Sequence, residues 1–204
     1  MEDLVLDILD ELRRSSELDA KALAALVRKH NDARSDVSTH LAKKHIHPFY
    51  LRVKSKDPAR WARWAVDDEL ERRFLQTVQM KPRRTASGVA TVTVITKPWP
   101  CASACLYCPN DVRMPKSYLA DEPACQRAER NFFDPYLQVA SRLHALSAMG
   151  HATDKVELIV LGGTWSDYPR AYQIWFAREL FAALNEADDR SEEHTSELQS
   201  LGRI

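Results

Sequence analysis

Cys101, Cys105 and Cys108 stand close together in one loop, with three and then two residues between them. Thiolates at such short spacing are what an iron–sulfur cluster needs, because one loop can wrap three corners of a cube. Three ligands for four irons leave one iron open, and a small molecule can coordinate it. A zinc site is the other chemistry to weigh. It usually takes four ligands in two close pairs, and Cys125 or His144 could supply a fourth here, so spacing alone leaves zinc open. A disulfide is disfavoured, because no apolar signal segment opens the chain and the context reads as cytosolic.

The elements that must position this loop are legible on both sides of it. Residues 88–96 are short, β-branched and apolar, the pattern of a buried strand. Pro98, Pro100 and Pro109 stiffen the loop that follows. Glu122 and Pro123 open a helix to about residue 132, with proline suited to the first turn. Asp134 and Pro135 open the next, as N-cap and first position. Its inner face is Leu137, Ala140, Leu143, Leu146 and Met149, and Gly150 can cap its end. Residues 156–161 form a second strand, almost wholly apolar as parallel strands are. It ends in Gly162, Gly163 and Thr164, and a helix over residues 169–185 follows. Two successive β/α units of a parallel barrel are expected, with the ligand site at the carboxyl ends of the strands.

The N-terminal part is different. Glycine is scarce and charge plentiful, which suits a helix-rich soluble protein, and no apolar run is long enough to span a membrane. Formal net charge is zero but uneven: residues 1–27 carry seven acids and three bases, residues 28–84 fifteen bases and seven acids. Leu4, Val5, Ile8, Leu9 and Leu12 place a helix over residues 2–14. A second is expected over 19–30 and a shorter third over 37–44, after which Pro48 breaks the pattern. A further helix is expected from Pro58 to about Met80, with Trp61, Trp64 and Leu70 as its core face. Between residues 43 and 84 the cations include Lys43, Lys44, Arg52, Lys54, Lys56, Arg83 and Arg84, interleaved with aromatics. Such a run suits a polyanion, with aromatic rings able to stack on unpaired bases. Solvated helix faces explain the charge about as well.

The cysteine loop resembles that of the radical S-adenosylmethionine (SAM) enzymes, including the aromatic Tyr107 just before the third cysteine. The resemblance implies a [4Fe–4S] cluster on Cys101, Cys105 and Cys108, with SAM on the open iron and split by one electron to give a 5′-deoxyadenosyl radical. Tyr107, Gly162, Gly163 and Thr164 would help seat SAM. A tight strand-to-helix turn equally explains the glycine pair when taken alone.

Further stretches narrow the likeness. They are residues 84–90, Cys105 to Pro109, Met114 to Tyr118, Glu122-Pro123, Asp134 to Gln138, Gly150-His151 and Asp154 to Thr164. Together they resemble the catalytic subunit of Elongator and its single-chain bacterial relatives, over about residues 81–185. That family joins a tRNA-binding segment, a radical SAM barrel and an acetyltransferase-like domain. It makes 5-carboxymethyluridine at the tRNA wobble position with acetyl-CoA as carbon donor.

By that resemblance Lys155 would contact acetyl-CoA, and Lys116 and Tyr118 would lie near substrate. The tRNA anticodon arm would meet the basic stretch, and an external electron donor would serve the cluster, in the cytoplasm and without a membrane. The expected organisation is α/β: a helical, basic tRNA-binding segment (1–84), then the first two β/α units of a radical SAM partial barrel (85–189), truncated. Residues 190–204 resemble the translation of a sequencing adapter and are expected to be a non-native tail, a real polar tail being the alternative. The truncated chain alone is expected to be inactive. Two rivals remain: a non-catalytic tRNA-binding module with a structural zinc, and a radical SAM enzyme with another substrate.

Overall fold

The structure is a computed structural model and describes residues 1–15, 17–109 and 111–185. The expected tail at 190–204 lies outside them. The described residues form two compact units, residues 1–88 with 146–152, and residues 89–145 with 153–185.

The first unit is helical. α1 (Glu2–Arg14) buries its whole apolar stripe, Leu4, Val5, Ile8, Leu9 and Leu12, with acids in its first turn and arginines in its last, both favoured by the helix dipole. α2 (Ala20–Asp32) starts at Asp19, whose carboxylate accepts from Ala22 N at 2.7 Å. Next come α3 (Ile46–Lys56), α4 (Pro58–Ala62) and α5 (Asp68–Val78). α1 packs on α2 and α5, and α3 on α4 and α5. Their core joins the α1 stripe to Leu23, Ile46, Tyr50, Val53, Trp64, Leu70, Phe74 and Val78.

Three sequence expectations fail in this unit for local reasons. No α-helix spans residues 37–44; two short 3₁₀ turns, Val37–Thr39 and Lys43–His45, stand there. Asp36 caps the first of them through Ser38 N, and the Asn31 carboxamide bonds both N and O of Leu41, holding the stretch between them open. Pro48 does not end a helix but sits in the first turn of α3, where an N–H would lack an intrahelical acceptor anyway. The helix expected over 58–80 is broken at Ala65, which is left-handed with φ 48°. Arg13 donates to the Trp64 and Ala65 carbonyls freed by the break, and Asp67 caps α5 through Leu70 N at 2.7 Å.

Residues 146–152 join this unit through hydrogen bonds that the sequence does not announce. Gly150, at φ +85°, turns the chain, and His151 N donates back to Leu146 O. Gln79 then donates to Gly150 O, Met80 N to Met149 O, and Thr85 Oγ1 lies 2.9 Å from His151 Nδ1.

In the second unit, β1 (Ala90–Ile95) and β2 (Val156–Leu161) pair in parallel from Ala90↔Val156 to Ile95↔Leu161. α6 (Pro123–Arg130) and α7 (Pro135–Ala148) separate them, and α8 (Arg170–Asn185) follows β2. Asp134 caps α7 through Leu137 N at 2.9 Å. The order strand, helices, parallel strand, helix is the expected α/β pattern. β2 is less buried than its composition implies: Ile159 and Val160 are exposed. Among the described residues β1 is its one ladder partner, so its other edge and part of its apolar surface stand uncovered. No helix among the described residues is long and apolar enough to cross a membrane.

Candidate metal and cofactor site

Strand geometry delivers the chain to the site. Thr96 N continues the β1–β2 ladder to Leu161 O, so the two strands end side by side and their loops meet. The segment after β1 is then fixed by side chains from the loop after β2 and from α8. Thr96 Oγ1 donates to Tyr168 Oη at 2.8 Å, and Tyr168 donates on to Lys97 O at 2.8 Å. Lys97 N donates to Tyr172 Oη at 3.1 Å, and the Lys97 ammonium lies over the Trp99 and Tyr172 rings, 4.8 and 4.7 Å from their centroids. Burial pushes the Tyr172 phenol up to about 12 and that of Tyr168 upward, so both remain hydrogen-bond donors at neutral pH.

The cysteine loop itself is tied to the turn after β2. Trp99 Nε1 donates to Asp167 O and Ala102 N to Asp167 Oδ2, each at 2.9 Å. Cys101 Sγ lies 3.3 Å from Thr164 Oγ1. The Thr164 hydroxyl, then the Ser103 backbone, hold the Cys101 thiol below its ordinary pKa. Cys108 Sγ lies 3.6 Å from Ser117 Oγ. A cavity of about 490 Å³ opens between these parts, lined by Cys101, Cys105, Cys108, Lys116, Ser117 and the turn Gly162 to Thr164.

The two glycines of that turn differ. A Cβ on Gly162 would lie 1.9 Å from Thr96 Oγ1, while one on Gly163 would meet only ordinary contacts, the nearest 3.6 Å away at Lys116 Cβ. Gly162 therefore lets the strand ends close up, and Gly163 lies open to the cavity.

All four cysteines are unbridged. Among the described residues no three Cys, His, Asp or Glu side chains converge tightly enough to grip a metal ion. The fit to a cluster rests on donor chemistry and enclosure: three free thiols around one cavity, beside an open glycine turn. The suggested fourth zinc ligands are elsewhere. Cys125 is fully buried on α6 with Ile95, Met114 and Ala128, and burial pushes its thiol up to about 11. His144 is exposed on α7, and neither lines the cavity.

Other candidates fall further out. Tyr107 is 92 % exposed beside Leu106 at 98 %, standing off the loop rather than packing into it. Lys155 is exposed at the start of β2, where its carbonyl accepts from Ala90 N. That is the opposite end of the strand from Gly162, roughly 20 Å away at the usual rise per residue. Tyr118 lines an apolar hollow that shares Gly162 and Gly163 with the cysteine cavity.

The basic residues lie on the first unit. Lys44, Arg52, Lys54, Lys56, Arg83 and Arg84 are exposed, and Lys43 is half-buried, with its ammonium held low by that burial. Lys54 pairs with Glu71 and sits over the Trp61 ring, and Arg52 stacks on Phe49. No salt bridge engages Lys44, Arg52, Lys56, Arg83 or Arg84 among the described residues, so their charge remains available. Trp64 is buried as expected and Trp61 partly so.

Sequence reasoning missed Asp167, Tyr168 and Tyr172, which position the loop. The aromatic spacing after Thr164 was the one available signal, since the rings of Trp165, Tyr168, Tyr172 and Phe176 pack on one another in turn.

No family model matches the chain. It is 36 % identical over 147 residues to the tRNA uridine(34) acetyltransferase of Methanocaldococcus infernus, covering 69 % of this chain and 27 % of that protein. Against the tRNA uridine(34) acetyltransferase of Dehalococcoides mccartyi it is 47 % identical over 105 residues, 52 % of this chain and 23 % of the relative. Against Elongator complex protein 3 of Danio rerio it is 40 % identical over 132 residues, 59 % and 24 %. These relatives match the resemblance to the Elongator catalytic subunit. The chain spans about a quarter of their length.

Proposed function

We propose that this chain carries the cluster-binding and tRNA-facing part of an enzyme that modifies the wobble uridine of tRNA to 5-carboxymethyluridine, with acetyl-CoA as carbon donor. The observation that carries the reading is the meeting of three unbridged thiols and the Gly162 to Thr164 turn around one cavity, in a chain whose relatives are named for tRNA uridine acetylation.

In this reading Cys101, Cys105 and Cys108 hold a [4Fe–4S] cluster, with SAM against the turn. When bound, that pair supplies one-electron cleavage of a sulfonium to a carbon radical. The chain's own residues hold the site: Thr164 and Asp167 fix the cysteine loop, Tyr168 and Tyr172 fix the segment leading to it, and Gly163 leaves room. Exposed cations on the first unit grip the tRNA backbone by charge. Lys155 as an acetyl-CoA contact, an external electron donor and a cytoplasmic setting belong to the same reading.

Anaerobic reconstitution tests it. About four irons per chain, with cleavage of SAM under dithionite and loss of both in Cys105→Ala, is the expected result. One zinc per chain and no iron would replace the enzyme by a tRNA-binding module. The placement of Cys125 and His144 away from the cavity argues against that module.

A further inference from the structure

Gln138 has no part in the roles above, yet it is 5 % exposed on α7. A buried carboxamide must spend its donors and acceptor on something. In a parallel pair, alternate residues turn their N–H and C=O to opposite edges of the strand. Ala90 N and Thr96 N both bond across to β2, so even-numbered residues of β1 face β2 and Ile95 faces the other edge. There Gln138 Oε1 accepts from Ile95 N, and Gln138 Nε2 donates to Ile95 O, each at 2.9 Å. These are the two bonds that an adjoining strand would make. Ile95 is the last residue of β1, and the segment leading to Cys101 departs from it.

We propose that Gln138 is a positioning residue for the cysteine loop: its carboxamide holds Ile95 in place of a neighbouring strand and sets the direction in which residues 96–101 leave the sheet. The same two bonds consume the outer edge of β1 at Ile95, so no further strand adds to the sheet at that point. The importance of this for the cluster rests on the reading given above; the hold on the backbone does not.

Two variants separate hydrogen bonding from packing. Gln138→Met keeps the length and apolar contacts and loses both bonds. Gln138→Glu keeps an acceptor for Ile95 N and loses the donor to Ile95 O. Amide exchange by mass spectrometry is read on the peptide covering residues 95–101, with α1 and α8 peptides as internal references. Exchange at least tenfold faster in that peptide alone, in Gln138→Met or, should that variant not fold, in Gln138→Glu, is the expected result. Unchanged exchange, or an equal rise in every peptide of the second unit, overturns the proposal. After reconstitution, the electron paramagnetic resonance line shape of the reduced cluster is expected to change in Gln138→Glu at matched iron content, and an unaltered line shape counts against positioning. If the unsubstituted protein takes up no iron, the cluster reading fails and the exchange comparison still decides the role of Gln138.

Discussion

A methyl group at Gly162 has nowhere to go. It would lie 1.9 Å from the Thr96 hydroxyl, itself buried and bonded to Tyr168. Gly162→Ala is therefore expected to lower the stability of the second unit by about 1–3 kcal/mol, as overpacking does, whereas Gly163→Ala is expected to be near neutral. Urea denaturation followed by circular dichroism checks both, and equal effects would contradict the distinction. The thiols divide in a similar way. At pH 8 iodoacetamide is expected to alkylate Cys101, Cys105 and Cys108 in the folded protein and to reach Cys125 only after unfolding, since burial pushes that thiol up to about 11. Peptide mapping of native and urea-treated samples gives the answer, and native labelling of Cys125 would contradict it. The cysteine triplet could be read from spacing because its ligands are local in sequence. Gln138 and Asp167 could not, because their partners lie 43 and 65 residues away and only the folded chain brings them together.

Helices with one clean apolar stripe are legible in the sequence, and α1 shows why: every apolar residue of its stripe is buried. The stretch from Pro58 to Met80 shows the opposite. Its apolar residues keep helical spacing, but Arg13, distant in sequence, stabilises a break at Ala65 that local preference would not choose. Asp67 restarts the helix, so Asp67→Ala is expected to cost about 1 kcal/mol, measured by thermal unfolding of the first unit. An unchanged midpoint would argue against the cap. Glu2 ties α1 to the region before that break. Its carboxylate accepts from Arg60 and from Trp64 Nε1, and the Arg60 bond holds its pKa at about 2 against 4.5 for the free group. A depressed carboxyl pKa stabilises the fold fully above the unfolded value, and the effect is lost as pH falls through the folded one. Glu2→Gln is thus expected to lower the melting temperature at pH 7, with the gap from the parent protein closing between pH 4.5 and 2. A gap independent of pH would contradict the ion pair.

At the scale of the whole molecule, a helical unit with unspent exposed cations is joined in one chain to an α/β unit that gathers thiols at its strand ends. Phosphate contacts make nucleic-acid binding fall steeply with salt. Lys44→Glu/Arg52→Glu is expected to weaken tRNA binding and to reduce the slope of log affinity against log salt by about one to two. Filter binding across a salt series measures this, and an unchanged slope would remove these residues from the interface. The parallel order of the α/β unit was legible from two apolar runs with helices between them. The exposure of Ile159 and Val160 was not, because burial of a strand depends on neighbours that its own composition does not specify. The central claim is that the chain lends three thiolates to a four-iron cluster and leaves one iron for a ligand. Electron paramagnetic resonance of the anaerobically reconstituted, dithionite-reduced protein, with and without SAM, tests it most directly. The account predicts a [4Fe–4S]⁺ signal whose shape changes when SAM is added. A signal indifferent to SAM, or iron-free protein holding a zinc ion saturated by four side chains, would contradict it.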